Sequence, residues 1–278
     1  MEKQVWLVTG ASKGLGLELV RCLLAKGVNV AATSRSKEAL QKAIADERLL
    51  SLEVDLVDPL SAEVALQQVV ERFGRLDVLV NNAGYGQMGA VEEVSDVQAR
   101  RNFDVNVFGV INMLRAALPY LRQQRSGQVF NVSSIAGFVG GFAGFGIYCA
   151  SKFALTGLTE GLRAELAEFG IRVNLVAPGY FRTDFLASGS IQGSHRTIPG
   201  YGAVRVSERN HLQSIHTQQP GDPKKLAELM LRMAQSKSAP DTLFAGSDAF
   251  RIAQERFATL LADLEAQREL SVSTDFAS

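Results

Sequence analysis

Short runs of apolar residues alternate along the chain with longer stretches in which apolar positions recur at helical spacing. Runs this short are typical of buried strands in a parallel sheet, and the stretches between them are typical of helices packed on that sheet. The pattern therefore predicts an α/β fold in which a doubly wound parallel sheet is covered by helices on both faces. The predicted strands are residues 5–8, 28–32, 50–54, 78–80, 129–132 and 173–176.

Two long helices are predicted in the central part of the chain, at residues 104–124 and 147–169. Residues 180–223 then break the pattern with Gly, Ser, Thr and scattered aromatics. A segment of this length without periodicity is typical of a functional loop or lid, here one over the substrate. The periodic pattern resumes with a helix over residues 223–235, a short strand near Leu243 and a final helix over residues 248–267.

Composition excludes several classes of partner. The chain has 278 residues, 46% of them hydrophobic, so residues 1–278 can bury the core of a single domain. Basic and acidic residues number 29 each without long single-sign blocks, which argues against nucleic-acid binding. No apolar stretch is long enough to span a bilayer, so no membrane partner is expected. Cys22 and Cys149 fall in helical patterns and are expected to be buried thiols, which fits a reducing, cytoplasmic location.

A glycine-rich turn links the first predicted strand to the first helix. Residues 9–16 read Thr-Gly-Ala-Ser-Lys-Gly-Leu-Gly, with glycines at Gly10, Gly14 and Gly16. Glycines let the backbone approach a pyrophosphate, and the free N–H groups and dipole of a helix N-terminus favour its negative charge. Glycine also marks any tight strand-to-helix turn, but this position between a strand and a helix favours dinucleotide binding.

The residues after the second strand bear on the choice between NAD(H) and NADP(H). An acidic residue there would bind the ribose hydroxyls of NAD, whereas an arginine would accept the 2′-phosphate of NADP. This chain has Ser34-Arg35-Ser36 and no carboxylate, and Lys13 in the glycine loop supplies a second cation. NADP(H) is therefore predicted over NAD(H). The alternative is that both cations are solvated surface residues.

Polar residues follow two further predicted strands. The tetrapeptide Asn-Asn-Ala-Gly occupies residues 81–84, and Ser133 and Ser134 follow the strand at 129–132. Ligands of open parallel sheets bind beyond the carboxyl ends of the strands, so we expect these groups near a cofactor and its substrate. Either serine could donate a hydrogen bond to a substrate oxygen, and residue chemistry alone does not choose between them.

Tyr148 and Lys152 stand four residues apart in a predicted helix, so their side chains leave the same face. A phenol titrates near ~10, and a nearby ammonium lowers that pKa by favouring the charged form. The pair could then carry acid–base chemistry near neutral pH. Taken alone, it could also be an ordinary pair on a helix surface.

Together these motifs resemble those of the short-chain dehydrogenases/reductases. The resemblance is strong from Gln4 to about Asp184 and weakens beyond. It implies a Rossmann-like fold and a catalytic domain that binds a nicotinamide dinucleotide. The elements in the family's order and spacing are the glycine loop, the turn at residues 81–84, Asn106, Ser134, Tyr148, Lys152 and Pro178-Gly179.

The resemblance implies roles for four catalytic residues. Tyr148 is expected to be the general acid in carbonyl reduction and the base in alcohol oxidation. Lys152 is expected to lower the pKa of Tyr148 and to hydrogen-bond the nicotinamide ribose. Ser134 would orient and polarise the substrate oxygen, and Asn106 would hold a water that connects Lys152 to a proton relay.

The resemblance also implies the path of the cofactor. Asp55 resembles the aspartate that contacts the adenine amino group, although aspartate at a strand end is also a common helix cap. Thr183 resembles the threonine beside the nicotinamide. The implied cofactor-binding residues are Gly10, Ser12, Lys13, Gly14, Leu15, Gly16, Arg35, Asp55, Leu56, Asn82, Ala83, Gly84, Tyr148, Lys152, Pro178, Gly179 and Thr183.

One interval departs from the family pattern. Ser134 and Tyr148 are fourteen positions apart, with five glycines between them, and slightly shorter intervals are common in the family. We therefore expect a looped-out residue and a modified pocket wall, with the catalytic positions still meeting.

The expected activity is reversible, NADP(H)-dependent hydride transfer between the nicotinamide and a carbonyl or secondary alcohol, with reduction of a hydrophobic ketone or aldehyde favoured. The expected partner is a small-molecule carbonyl or alcohol, and the resemblance implies a homodimer or homotetramer. A redox sensor without turnover would need only the binding loop, and a related lyase would lack that loop and the lysine. Both alternatives are therefore disfavoured.

The candidate pocket residues lie between Ser134 and Tyr148 and in the loop over residues 180–223. The arginines of the loop, Arg182, Arg196, Arg205 and Arg209, leave room for a substrate carboxylate. No metal site is expected, because the histidines lack metal-ligand spacing and are interpreted as solvated loop residues: His195, His211 and His216. The apolar candidates for the pocket are Phe138, Phe142, Phe145, Phe181, Phe185, Leu186, Ile191, Ile198 and Tyr201.

Overall fold

The computed structural model of this chain describes residues 4–186, 190–215 and 218–276. Within these residues most of the strands form one parallel sheet, and two short strands pair separately. The α/β fold predicted from the sequence is confirmed. The strands are β1 (Val5–Val8), β2 (Asn29–Ser34), β3 (Leu49–Glu53), β4 (Val78–Asn81), β5 (Gly86–Gln87), β6 (Gly127–Val132), β7 (Ile171–Pro178), β8 (Ile191–Gln192) and β9 (Thr242–Ala245).

Helices connect the strands and cover both faces of the main sheet. Short 3-10 turns also occur, at Ile135–Gly137, Ala167–Phe169 and Asp184–Leu186. The α-helices are α1 (Gly14–Ala25), α2 (Lys37–Ala43), α3 (Pro59–Phe73), α4 (Asp96–Phe103), α5 (Gly109–Gln124), α6 (Gly146–Leu166), α7 (Gly202–Arg209), α8 (Pro223–Gln235), α9 (Ser247–Ala266) and α10 (Arg268–Val272).

The strand order of the main sheet is β3-β2-β1-β4-β6-β7-β9. The chain builds outward from β1 to β3 and then returns to place β4 on the other side of β1. In the register, Leu7 of β1 lies between Ala31 of β2 and Leu79 of β4. Such a reversal of strand order opens a crevice at the carboxyl ends of the strands, which is where ligands bind in this architecture.

The core consists of two layers, one on each face of the sheet. Successive side chains of β1 alternate between them, as the period of a strand requires. Leu7 joins a buried cluster with Leu66 of α3 and Met113 of α5. On the opposite face, Trp6 stacks on Phe130 of β6 with ring centroids 6.1 Å apart. The sheet is thus buried on both sides, which explains the continuous apolar runs in its strands.

Local sequence signals set the ends of the helices. At α3, the carboxylate of Asp58 accepts the N–H of Leu60 at 3.0 Å, and Pro59 occupies the first turn. Gly74 ends the same helix at φ 77°, a left-handed conformation that suits glycine.

The predicted helix over residues 104–124 begins earlier and is not uniform. A capping box between Ser95 and Gln98 starts α4 at Asp96, and the helix then passes through a π-helical turn at Asp104–Phe108 before α5. The sequence expectation missed this start because the exposed face of α4 is polar, with few apolar positions to reveal its period.

The segment over residues 180–223 is more ordered than the sequence suggested. It contains β8, α7 and a further π-helical turn at Asn210–Ile215. The prediction of an irregular segment is wrong for this part of the chain. Among the residues of α7 only Val204 is buried, so the short helix shows no apolar period in the sequence.

Candidate active site

A cavity of about 340 Å³ lies along the carboxyl ends of the central strands. Residues that follow β1, β4, β6 and β7 build its walls, so the cavity spans the reversal in strand order. Two predicted site residues, Gly16 and Asn106, lie outside the lining. The others all line it: Gly10, Ser12, Lys13, Gly14, Leu15, Arg35, Asp55, Leu56, Asn82, Ala83, Gly84, Ser134, Tyr148, Lys152, Pro178, Gly179 and Thr183.

The glycine loop packs tightly against the turn that follows β4. Gly10 has φ +65°, and a Cβ at this position would stand 2.7 Å from the Cα of Ala83. A Cβ at Gly16 would stand 2.5 Å from Nδ2 of Asn82. That same Nδ2 donates to the backbone carbonyls of Thr9 at 2.9 Å and Gly10 at 3.1 Å. Glycine is therefore required at both positions to bring the loop this close to the turn.

The N-terminus of α1 opens onto this loop. The helix begins at Gly14, and Lys13 before it makes no side-chain hydrogen bond to the first turn. The first N–H groups of the helix are therefore not capped by a side chain, and the helix dipole adds a partial positive charge. Thr183 faces the loop, with its Cβ 3.7 Å from the position a Cβ of Gly14 would take. This arrangement suits a phosphate or pyrophosphate group.

Cations lie at one end of the cavity. Lys13 and Arg35 are exposed and line the cavity together with Ser34. Asp55 also lines it, and its Oδ1 accepts the backbone N–H of Val57 at 3.1 Å. The chemistry of this end combines two positive groups with hydroxyl donors, which can bind a second phosphate.

The tyrosine and serine that the sequence predicts to be catalytic meet in another part of the cavity lining. Tyr148 is 8% exposed, and burial raises the pKa of its phenol, while the Ser134 hydroxyl beside it has a smaller, lowering effect on that pKa. The Oγ of Ser134 accepts the N–H of Ala136 at 3.1 Å, so its own proton is available to a further acceptor. The fourteen-position interval therefore still brings the two hydroxyls together.

Lys152 is buried beside the tyrosine. It is 4% exposed, and burial lowers the pKa of its ammonium to about 8. Its Nζ donates to the carbonyl of Val132 at 3.0 Å and lies 5.9 Å from the centroid of the Tyr148 ring. On balance the pKa of Tyr148 is raised, because desolvation of the phenol is the largest effect. The lowering influence of Lys152 on that pKa stays a prediction.

Asn106 lies in the π-helical turn and is completely buried. Its Oδ1 accepts the N–H of Tyr85 at 3.0 Å, and its Nδ2 donates to the carbonyl of Tyr85 and to Oγ of Ser151, both at 3.0 Å. The side chain thus ties the turn after β4 to α6. Its place in a proton relay stays a prediction.

Aromatic side chains form the wall beyond Tyr148. Phe145 and Phe185 each lie 6.3 Å from the Tyr148 ring, centroid to centroid. Phe138 does not reach the cavity, because it packs against Phe244 and Phe257 instead. Ile198 and Tyr201 are also absent from the lining. The predicted pocket residues that do line the cavity are Phe142, Phe145, Phe181, Phe185, Leu186 and Ile191.

Tyr180 and His211 line the cavity as well, and sequence reasoning missed both. Tyr180 Oη and His211 Nε2 are 2.8 Å apart, and His211 is 9% exposed. The interpretation of this histidine as a solvated loop residue is therefore wrong. His195 is exposed as expected, and His216 lies outside the described residues. The sequence signal for Tyr180 was its position directly after Pro178-Gly179.

Glu93 holds residues 190–215, here called the substrate-side segment, beside the cavity. Its side chain is 0% exposed and pairs with Arg205. Its oxygens also accept the N–H groups of Ala90 at 2.9 Å and Ile198 at 2.7 Å. The backbone N–H of Ile198 is the main reason that the pKa of Glu93 lies below its ordinary value. The pairing of β5 with β8 holds the same segment from a second side.

Within the described ranges, no group of His, Cys, Asp and Glu side chains could hold a metal ion, and none of the helices combines the length and the apolar composition that a membrane span needs. Cys149 is buried and Cys22 half-buried, and both are free thiols in helices.

Known proteins are similar to this chain in sequence and in fold. Residues 4–192 match the family model described as short chain dehydrogenase, and the chain belongs to this family of oxidoreductases. It is 34% identical over 274 residues to oxidoreductase BOA17 of Botryotinia fuckeliana, covering 98% of this chain and 99% of that protein.

Two solved structures extend the comparison. A short-chain dehydrogenase from Streptomyces avermitilis is 38% identical, with a TM-score of 0.90 over 99% of this chain and 100% of that chain. A short chain dehydrogenase from Burkholderia cenocepacia J2315 in complex with NADP is 28% identical, with a TM-score of 0.72 over 100% of this chain and 99% of that chain. The family predicted from the sequence motifs is confirmed.

Proposed function

We propose that this protein is an NADPH-dependent reductase of apolar ketones or aldehydes, which also catalyses the reverse oxidation of secondary alcohols. The observation that carries the proposal is the convergence of Ser134, Tyr148 and Lys152 on one cavity that continues to the glycine loop. A binding protein without turnover would not need a buried phenol and ammonium beside a serine hydroxyl at this place.

The residues of the cavity fit a nicotinamide dinucleotide. The close approach at Gly10 and the uncapped N-terminus of α1 support a pyrophosphate site. Asp55 and Leu56 would hold the adenine end, and Gly179 and Thr183 the nicotinamide end. Bound there, the nicotinamide supplies the hydride for carbonyl reduction and accepts one in alcohol oxidation.

The preference for NADP(H) rests on charge. Arg35 and Lys13 line the end of the cavity where the residues after β2 would meet the adenosine ribose. Two cations favour a 2′-phosphate, and the similar structure from Burkholderia cenocepacia that contains NADP adds support.

The chain's own residues then move one proton. The phenol of Tyr148 is protonated at neutral pH because burial raises its pKa, so it can donate to the carbonyl oxygen during reduction. The free proton of Ser134 supplies a second donor to the same oxygen, where negative charge develops. Lys152 holds a positive charge beside the phenol and stabilises the phenolate that remains after the proton is donated. The aromatic wall supports an apolar carbonyl compound as substrate.

The test follows NADPH oxidation by the purified protein with aliphatic, aromatic and steroidal ketones and aldehydes. Tyr148→Phe removes only the phenol oxygen, and Tyr201→Phe is the matched control because its hydroxyl bonds Glu92 outside the cavity. We expect turnover that is lost in Tyr148→Phe and kept in Tyr201→Phe. NADPH binding without turnover of any carbonyl compound would favour the alternative of a redox sensor.

We also propose that the protein assembles as a homodimer or homotetramer. Phe108 at the end of the π-helical turn is 54% exposed, and Phe153 on α6 is 43% exposed. Exposed aromatic side chains on two long helices support an interface between copies of this chain. Light scattering after size-exclusion chromatography tests this proposal, and a monomeric mass contradicts it.

A further inference from the structure

Tyr180 and His211 face the substrate end of the cavity but have no part in the proton transfer. The ring of His211 lies 4.6 Å from the ring of Phe145, which lies 6.3 Å from the ring of Tyr148. One aromatic side chain thus separates the Tyr180–His211 pair from the catalytic tyrosine. All four side chains line the same cavity.

The hydrogen bonds of His211 determine which atom of the pair donates. Its Nδ1 lies 2.8 Å from the backbone carbonyl oxygen of Ser207, which can only accept, so Nδ1 carries the proton. In the neutral ring, Nε2 is then bare and accepts the hydroxyl proton of Tyr180 at 2.8 Å. The Tyr180 oxygen keeps a lone pair for another partner and therefore presents an acceptor to the cavity.

A buried amide adds a second polar group. Gln219 lines the cavity and is 1% exposed, and neither Nε2 nor Oε1 of its side chain has a partner within the described ranges. Buried polar groups without partners cost stability, and a ligand that bonds them recovers that cost. An acceptor oxygen and an unpartnered amide in the lining of a partly aromatic cavity indicate a ligand that carries a polar group.

Three arginines of the segment over residues 180–223 are bound to other partners. Arg182 donates to the backbone carbonyl of Gln219, Arg196 donates to the backbone carbonyl of Glu92, and Arg205 pairs with Glu93. None of these arginines lines the cavity. Arg35 and Arg101 line the cavity but belong to other parts of the chain, so the polar groups that this segment offers are the oxygen of Tyr180 and the amide of Gln219. A neutral group that carries a proton to donate, as a hydroxyl does, fits them.

We propose that Tyr180, oriented by His211, binds a hydroxyl group of the substrate at a distance from the reacting carbonyl, so that the preferred substrates are apolar hydroxyketones. The hydroxyl donates to Tyr180 Oη, and no covalent bond changes at this subsite. The proposal rests on the proposed function, since it places the reacting carbonyl at Tyr148. Tyr180 contacts the substrate, and His211 is a positioning residue that acts through Tyr180.

The test compares 4-phenyl-2-butanone with its para- and meta-hydroxyphenyl and methoxyphenyl derivatives. A hydroxyl can donate to Tyr180, whereas a methoxy group can only accept. In the wild type we expect kcat/KM of at least one hydroxy isomer to exceed that of the parent and the methoxy compound about tenfold, which one neutral hydrogen bond can supply. In Tyr180→Phe this ratio falls toward one, while Tyr201→Phe keeps it.

The variant His211→Phe distinguishes positioning from packing. It keeps an aromatic ring against Phe145 but removes the acceptor for the Tyr180 proton. The Tyr180 hydroxyl then becomes free to donate, so the preference should shift from the hydroxy to the methoxy compound. If His211 only supports the packing, the rates with all compounds should fall and the preference should not shift to the methoxy compound.

Two results overturn the proposal: no hydroxy isomer is preferred by the wild type, or the preference survives in Tyr180→Phe. If no ketone is turned over, the proposed reductase function fails separately. Calorimetric titration of the same compounds in the presence of NADP⁺ then tests whether Tyr180 binds a hydroxyl group. A Tyr180-dependent gain in affinity for a hydroxy compound supports it, and equal affinities overturn it.

Discussion

The Nζ of Lys152 lies 5.9 Å from the centroid of the Tyr148 ring, and both side chains are buried on one face of α6. The ammonium donates to the carbonyl of Val132 on β6. Burial sets both pKa values: it raises that of Tyr148 and lowers that of Lys152 to about 8. At neutral pH the phenol of Tyr148 is thus protonated, and it lies beside an ammonium that titrates close to physiological pH.

The low pKa of Lys152 has a consequence for stability. An unfolded lysine titrates near 10.5 and the folded one near 8, so between these values the unfolded chain binds a proton that the folded chain has lost. The free energy of unfolding therefore rises with pH between the folded and the unfolded pKa of the lysine. At a pH below the folded pKa, the folded chain carries the full cost of the buried charge. Relative to Lys152→Met, the free energy of unfolding of the wild type should rise by about 3 kcal/mol across the window.

Urea unfolding of both proteins at intervals across this pH range measures the difference. Lys26→Met provides the control, because Lys26 is exposed at the end of α1 and its loss should leave the pH dependence unchanged. Parallel stability curves for the wild type and Lys152→Met would contradict the lowered pKa.

Arg35→Ala tests the choice of cofactor. If the guanidinium binds a 2′-phosphate, its loss should raise the Kd of NADPH by about 10- to 100-fold, the value of a charge-assisted hydrogen bond. The Kd of NADH should change little, because NADH has a hydroxyl and no phosphate at the 2′ position. Fluorescence titration measures both constants, with Arg115→Ala on the exposed face of α5 as the control. Equal changes for the two cofactors would exclude this role of Arg35.

The two adjacent serines should behave differently. Ser133 Oγ donates to the carbonyl of Lys152 at 3.1 Å, whereas Ser134 Oγ accepts from Ala136 and keeps its proton. Ser134→Ala should therefore reduce kcat by about 10²- to 10³-fold, as the loss of an oxyanion donor does. Ser133→Ala should mainly lower the melting temperature.

The pH profile gives a second measurement for Ser134. Its hydroxyl has a lowering effect on the pKa of Tyr148, so in Ser134→Ala the limb of the profile that reports the phenol should move to higher pH. If Ser133→Ala were the variant that lost kcat, the assignment of the two serines would be reversed.

The sheet and most of the cavity lining could be predicted from the sequence, because they depend on local signals. The apolar runs of β1 and β4 indicate burial on both faces of the sheet. Gly10 and Gly16 indicate a close approach of the loop to the turn after β4, which a residue with a Cβ does not permit. Motif spacing similarly located Tyr148 and Lys152 on one helix face.

The remaining features depend on contacts between distant residues. Tyr180 and His211 are separated by 31 positions, and their hydrogen bond exists only because the substrate-side segment folds back over the cavity. The direction of the pKa shift of Tyr148 also could not be predicted, because it results from how completely the surrounding residues exclude water. Such burial is a property of the assembled pocket and not of the helix that carries the tyrosine.

Gly16→Ala tests the packing of the glycine loop. Its Cβ would stand 2.5 Å from Nδ2 of Asn82 and 2.6 Å from the carbonyl oxygen of Gly10, so the loop must move. We expect weaker binding of NADPH and a loss of stability of about 1–3 kcal/mol, the usual cost of overpacking. Gly202→Ala on α7 is the control, since no described atom lies within 4 Å of the position that a Cβ would take there. Unchanged NADPH affinity in Gly16→Ala would show that the loop tolerates displacement.

Glu93 should control how firmly the substrate-side segment is held. Its carboxylate is buried against the N–H groups of Ala90 and Ile198 and the guanidinium of Arg205, and Ile198 is the main cause of its lowered pKa. A lowered pKa means that the stabilising charge is present above the unfolded value of 4.5 and is lost as the pH falls through the folded value.

Glu93→Gln removes this charge at every pH while keeping the shape of the side chain. At pH 7 we expect faster hydrogen–deuterium exchange of the α7 amides in Glu93→Gln than in the wild type, because α7 carries Arg205. As the pH falls below the folded pKa of Glu93, the wild type should approach the variant. Glu63→Gln on the exposed face of α3 should follow the wild type throughout. Identical exchange of α7 in the wild type and Glu93→Gln at pH 7 would mean that the pairing of β5 with β8 holds the segment without the carboxylate.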